Sequence, residues 1–134
     1  MSRGAGVASL AALALASTAL AQSQTRLAIV AGHNHGGEGH QPLRYAEADA
    51  ARVRRALVDV SSVKATDVKL LAAPTLAQLD EAFAWAKARA ADVHRKPGKK
   101  VVLFVYLSAH GHEGKGVELG AQVLDWERLK ALVR

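Results

Sequence analysis

Two patterns of apolar and polar residues alternate along the chain. Short apolar runs are typical of buried parallel strands, and they predict strands over residues 27–31, 67–72 and 100–108. Between the runs, apolar residues recur every three or four positions, which predicts amphipathic helices over residues 43–59 and from Leu76 to the Pro97-Gly98 turn. Strands that alternate with helices across long connections favour an α/β fold with a mainly parallel sheet flanked by helices.

The segments between and beyond these elements are polar or rich in glycine. Residues 22–25 are predicted to be a polar lead-in, and residues 32–42 a loop that contains four glycines and a proline. A glycine-rich loop over residues 111–116 is predicted to lead into a short strand at 117–119. A last amphipathic helix is predicted over residues 125–134. Thr75 and Gln78 form a capping-box pattern at the start of the second helix.

The first residues have the pattern of a secretory signal peptide. Arg3 precedes a stretch of apolar or small residues at 7–20, and Ala19-Leu20-Ala21 fits a small-x-small cleavage site. We therefore expect a signal peptide at 1–21, a folded domain at 22–134, and export to the periplasm or the medium. The apolar stretch is too short and too rich in alanine for a stable membrane span after cleavage. The sequence has no cysteine, so the exported domain is expected to fold without disulfides.

The net charge of +6, from 18 Lys and Arg against 12 Asp and Glu, does not indicate a nucleic-acid-binding protein. The basic residues are spread through the predicted helices, apart from one cluster around the Pro97-Gly98 turn. Aromatic residues are too scarce to build a platform on which bases could stack. No nucleic-acid partner is predicted.

Histidines follow two of the predicted strands. His33, His35 and His40 come after the first strand, and His110 and His112 come after the third. If the strand order is 2-1-3, the carboxyl ends of the first and third strands are neighbours, and such ends form the crevice in which open α/β sheets bind ligands. Five of the six histidines are then expected on one rim of the sheet.

Two kinds of chemistry suit such a rim. An imidazole can take a proton from a thiol and return it to a leaving amine, which makes His110 a candidate general base and the Gly111 N–H a candidate oxyanion donor. Alternatively, His33, His35, His110 and His112 supply four nitrogens that suit zinc. This arrangement requires irregular backbone, because alternate residues of a regular strand point in opposite directions. Loop histidines that only face water are the third interpretation. No cofactor or metal is predicted.

Three segments resemble bacterial caspase-like proteins, the relatives of metacaspases and paracaspases. Leu43–Ala50, with the sequence LRYAEADA, resembles the Leu-x-Tyr-Ala-x-x-Asp-Ala segment of that family, and residues 27–32 are similar to its first strand. Tyr106–Gly111, with the sequence YLSAHG, resembles the Tyr-x-Ser-Gly-His-Gly motif that carries the catalytic histidine, although Ala109 replaces a glycine. The resemblance implies a three-layer caspase-like fold and a cysteine endopeptidase with a His/Cys dyad that acts on peptides or proteins. It also implies that His110 is the base, with Gly111 beside it, and that Arg44 lies where a substrate-binding residue could sit.

The resemblance also implies that the catalytic cysteine is missing from this chain. The cysteine of the family follows the next strand, in an Asp-x-Cys segment, so this chain is expected to be a fragment or degenerate copy whose C-terminal part is absent. The chain alone is therefore expected to be inactive, because a thiolate is the attacking species. The alternatives are a non-catalytic binding or scaffold domain on the same fold and a histidine-rich metal-binding protein. An uncovered third strand would expose an apolar edge, through which we expect self-association.

Overall fold

The computed structural model describes residues 23–134. The predicted signal peptide, residues 1–21, lies outside the described residues. Within the described part, no helix combines the length and the apolar character needed to cross a membrane.

The main sheet has three parallel strands. They are β1 (Gln24–Gly32), β2 (Val68–Ala72) and β3 (Lys100–Ser108). Their order is β2-β1-β3, so the carboxyl ends of β1 and β3 are adjacent, with Gly32 opposite Ser108. The strand order on which the predicted histidine rim depends is confirmed.

The two long helices cover opposite faces of this sheet. Helix α1 (Ala46–Asp59) and helix α2 (Leu76–His94) follow β1 and β2. Alternate residues of a strand point to opposite faces. Leu27, Ile29 and Ala31 of β1 pack in the cluster that contains Phe83 of α2, whereas Ala28 and Val30 pack with Ala50 of α1. The result is three layers, helix, sheet and helix, as predicted.

Helix α2 begins where the sequence indicates. The Thr75 side chain accepts a hydrogen bond from the Gln78 N–H, and the Gln78 side chain accepts one from the Thr75 N–H. This reciprocal pair forms the predicted capping box and satisfies two backbone donors that the first helical turn leaves unpaired.

Several of the predicted boundaries are wrong, including the start of α1, which lies at Ala46 rather than at residue 43. Gln24 and Thr25 belong to β1 rather than to a lead-in, because they pair with Lys100 and Val101 of β3. Residues 111–116 are not simply a loop. β4 (His110–His112), β5 (Gly116–Leu119) and β6 (Gln122–Asp125) form a small antiparallel sheet, followed by helix α3 (Trp126–Leu132). Hydrogen bonds between the short strands override the glycine content of the segment.

Strand β3 lies at an edge of the main sheet, and part of its apolar surface is uncovered. Val101, Leu103 and Val105 pack towards α2. On the opposite face, Val102 and Phe104 are 43% and 42% exposed. Within residues 23–134, the edge strand β3 therefore leaves part of one apolar face exposed.

Candidate functional site

The site forms where β1 and β3 end. The His33 N–H donates to the Ser108 carbonyl oxygen over 2.9 Å, which extends the pairing of β1 with β3 by one step. Beyond this point the backbone leaves the main sheet. The β1–α1 loop, residues 33–45, follows β1, and the β4–β5 hairpin, residues 110–119, follows β3. His94 lies apart from both, at the end of α2.

The β1–α1 loop is anchored at its two ends. The Asn34 N–H donates to the Glu47 carboxylate over 3.1 Å, and the Glu47 N–H donates to the Asn34 side-chain oxygen over 3.3 Å. Gly32 is required here, because a Cβ at this position would lie 2.2 Å from the Ala46 carbonyl oxygen. These contacts fix where the loop begins and where α1 starts.

Glu118 lies at the centre of the site. Its Oε2 accepts hydrogen bonds from the Gly37 N–H over 2.8 Å and from His40 Nδ1 over 2.7 Å. Its Oε1 accepts one from His112 Nδ1 over 2.8 Å. The carboxylate is almost fully buried, with a side chain 6% exposed. It joins the β1–α1 loop to both strands of the hairpin.

The pKa of the Glu118 carboxyl is lowered from 4.5 to about 2. The hydrogen bond from the Gly37 N–H is the largest cause, followed by the one from His112. Burial acts in the opposite direction, and His40 adds a further lowering contribution. Glu118 is therefore ionised at neutral pH and only accepts hydrogen bonds. It follows that His40 and His112 both carry a proton on Nδ1.

His110 is the first residue of β4 and is the direct cross-strand neighbour of Glu118. Side chains of such a pair lie on the same face. The His110 ring stacks on the His40 ring, with centroids 5.2 Å apart and planes inclined by 28°. Its Nε2 is buried and has no hydrogen-bond partner among residues 23–134. The ring is thus held by packing, and one of its nitrogens is left unsatisfied.

The remaining predicted residues are more exposed. Gly111 has open space where a side chain would be, so a ligand can approach its backbone. Arg44 is exposed in the β1–α1 loop. In the part of the chain that the structure describes, no hydrogen bond or ion pair joins Arg44 to the cluster formed by His40, His110, His112 and Glu118.

The predicted rim of five histidines separates into two groups. His33 is 7% exposed, and its Nδ1 accepts from the His35 N–H over 3.1 Å. Their ring centroids are 6.4 Å apart, edge to face. His110 and His112 instead face Glu118 and His40. Across residues 23–134, no three or more side chains of the ligand-forming types are arranged to hold a metal ion. The structure therefore gives the four-nitrogen zinc hypothesis no support.

Glu118 is the site residue that reasoning from sequence missed. It occurs in the predicted strand 117–119, where it reads as an ordinary charged residue between two apolar ones. Its importance depends on the pairing of β4 with β5, which places it opposite His110. A charged residue in a short apolar strand is the only signal that could have pointed to it.

A comparison with protein families identifies the chain. The sequence model of the caspase domain matches residues 25–131, which is most of the chain, and the layers and strand order agree with that assignment. The chain belongs to the caspase domain family, a family of cysteine peptidases. Neither the comparison with curated proteins nor that with solved structures gives a match.

Proposed function

We propose that this chain carries the general-base half of a caspase-like cysteine endopeptidase site. One observation carries the proposal. In a chain of the caspase domain family, His110 lies beside the adjoining carboxyl ends of β1 and β3, the edge at which open α/β sheets bind ligands.

In the proposed reaction, His110 takes the proton of a cysteine thiol and the thiolate attacks the peptide carbonyl carbon. The imidazolium then returns the proton to the leaving amine. The Gly111 N–H is proposed as a donor to the oxyanion. Arg44 is proposed to contact the substrate, for which an exposed guanidinium with five donors is suited.

The thiol is not part of this sequence, which contains no cysteine. The proposal therefore assigns it to a polypeptide segment other than these 134 residues. Without a nucleophile, the loss of turnover in triad enzymes is on the order of a millionfold. We expect no measurable peptide hydrolysis by this chain on its own.

A non-catalytic binding domain is the second candidate. Two observations favour it: the missing cysteine, and the buried Nε2 of His110 beneath the stacked His40 ring. In this case the partner is an extended peptide or a second copy of the chain that adds a strand to the open edge of β3. The exposed Phe104 and Val102 side chains would then pack against side chains of the added strand on the same face of the sheet.

The test uses the whole reading frame in which the chain lies, alongside the 134-residue chain. Both are assayed on fluorogenic peptides and with a thiol-directed inhibitor. We expect no hydrolysis and no adduct with the chain alone. With the product of the whole frame, we expect hydrolysis that His110→Gln abolishes and His94→Gln leaves unchanged.

Three outcomes contradict parts of this reading. An adduct on the 134-residue chain refutes the missing nucleophile. Hydrolysis that survives His110→Gln refutes the base. A reading frame without an Asp-x-Cys segment, whose product binds peptides but does not hydrolyse them, replaces the peptidase proposal with the binding domain.

We also propose that the domain, residues 22–134, is exported after removal of residues 1–21. The Ala19-Leu20-Ala21 segment supports this proposal, because small residues at these spacings suit signal peptidase. N-terminal sequencing of the protein from cell fractions tests it. A cytoplasmic protein that retains Met1 contradicts it.

A further inference from the structure

Glu118 joins three separate pieces of backbone with one carboxylate. Through Oε2 it holds Gly37 and His40 of the β1–α1 loop, over 2.8 and 2.7 Å. Through Oε1 it holds His112 of β4, over 2.8 Å. Hydrogen bonds that involve a charged group are stronger than neutral ones. The carboxylate therefore fixes residues 37–40 of the loop to the hairpin at a nearly buried point, while the Gly120 N–H, which donates to the His35 carbonyl oxygen over 3.0 Å, holds the loop nearer its start.

The orientation of His110 depends on that loop. Its Nε2 makes no hydrogen bond with any of the described residues, so no bond at this nitrogen sets the angle of the ring. Packing sets it instead. The His40 ring stacks on one side, at a centroid distance of 5.2 Å. Gly36 approaches so closely that a Cβ there would lie 2.8 Å from His110 Cδ2.

We propose that Glu118 is a positioning residue for His110. By holding Gly37 and His40, it keeps the β1–α1 loop against the imidazole and so fixes the plane in which that ring lies. The inference rests on the proposed function only in taking His110 as the base. The contact itself exists whether or not the chain takes part in peptide hydrolysis.

The two carboxylate oxygens of Glu118 bind different histidines. Oε2 binds His40, whose ring stacks on that of His110, whereas Oε1 binds His112, which is exposed to an intermediate degree. The proposal therefore predicts that loss of His40 disturbs the His110 ring. It also predicts that loss of His112 leaves the His40–His110 stack in place.

The experiment follows the histidine rings of the full chain by NMR. It measures nuclear Overhauser contacts between His40 and His110, the ring nitrogen shifts of His110 that report its tautomer, and hydrogen exchange of the Gly37 amide. The variant Glu118→Gln retains the shape of the side chain but has one accepting oxygen in place of two. Glu113→Gln, at an exposed position of the same hairpin, is the matched control.

In Glu118→Gln we expect the His40–His110 contact to be lost and the His110 ring shifts to change. The Gly37 amide should exchange about tenfold faster, because its acceptor is weakened or gone. Glu113→Gln should match the wild type in all three measurements. Backbone amide spectra establish that each variant is folded.

His40→Ala provides a second route to the same answer, and we expect it to fold because its side chain is 46% exposed. We expect it to change the His110 ring shifts, and His112→Ala to preserve the His40–His110 contact. If His110 keeps its shifts in both Glu118→Gln and His40→Ala, the positioning role is wrong. Because none of these measurements needs turnover, they succeed or fail independently of the peptidase proposal.

Discussion

Replacing Gly36 by alanine tests whether the β1–α1 loop lies against the candidate base. A Cβ at this position would come within 2.7 Å of Glu118 Oε2 and 2.8 Å of His110 Cδ2. Atoms at such distances must move apart by about half an ångström or more to reach ordinary contact at 3.4 Å. Gly37, the next residue, offers a matched control, since a Cβ there would meet Glu118 only at 3.6 Å.

The cost of the clash follows from what holds its neighbours. A flexible side chain could swing away, but the Glu118 carboxylate accepts three hydrogen bonds and the His110 ring is stacked on His40. Overpacking against fixed groups costs about 1–3 kcal/mol. For a domain of this size, each kcal/mol lowers the melting temperature by roughly 4 °C. Gly37→Ala should change the free energy of unfolding by no more than about 0.5 kcal/mol.

Thermal and urea unfolding of the two variants, followed by circular dichroism, measures this difference. We expect Gly36→Ala to melt well below Gly37→Ala, and its His110 ring signals to shift. Equal melting temperatures for the two variants would mean that the loop does not pack on His110. The stacked arrangement of the site would then be wrong, and the inference about Glu118 with it.

Three further predictions concern the core, the sheet edge and the buried carboxylate. Replacing Phe83, which is 1% exposed, by alanine should lower the free energy of unfolding by about 3–5 kcal/mol. The same replacement of Phe104, which is 42% exposed, should lower it by about 1 kcal/mol. Equal losses of free energy in urea unfolding would refute the assigned core. Phe104→Lys should reduce self-association in sedimentation velocity while Val60→Lys, at an 81% exposed site, does not; a wild type that stays monomeric at all concentrations contradicts association through β3. The pKa of Glu118 is lowered from 4.5 to about 2 on folding, so its contribution to stability is present above pH 4.5 and is lost as the pH falls towards 2. Over that range the wild type should lose more unfolding free energy than Glu118→Gln, and parallel stability curves would show that the carboxylate is not held as described.

The local elements could be predicted closely because their causes are local. β3 spans Lys100–Ser108 as predicted, since a run rich in β-branched and aromatic residues favours a strand; the burial expected of such a run is only partial, because none of its residues is fully buried. α2 starts after Thr75 because the residues of its capping box are neighbours in sequence. β1 was predicted too short. Its first residues are polar, and they join the sheet only because β3 runs alongside them.

The candidate site was predictable only in part. The sequence placed His110 and Gly111 at the end of a strand, and the family motif identified the histidine. The residues next to His110 in the sequence do not indicate whether its imidazole is accessible or which side chains pack against it. His40 and Glu118 lie 78 residues apart in the chain, and no short-range pattern links them.

Local sequence patterns are enough to predict the alternation of strands and helices, the two helical faces and the position of the histidine motif, because each depends on periodicity or on adjacent residues. Which histidines meet depends instead on contacts between distant segments. The pairing of β1 with β3 brought the loop and the hairpin together, and the pairing of β4 with β5 turned Glu118 towards His110. A buried carboxylate is stable only where donors converge on it, and in this protein those donors come from segments that only the folded chain brings together.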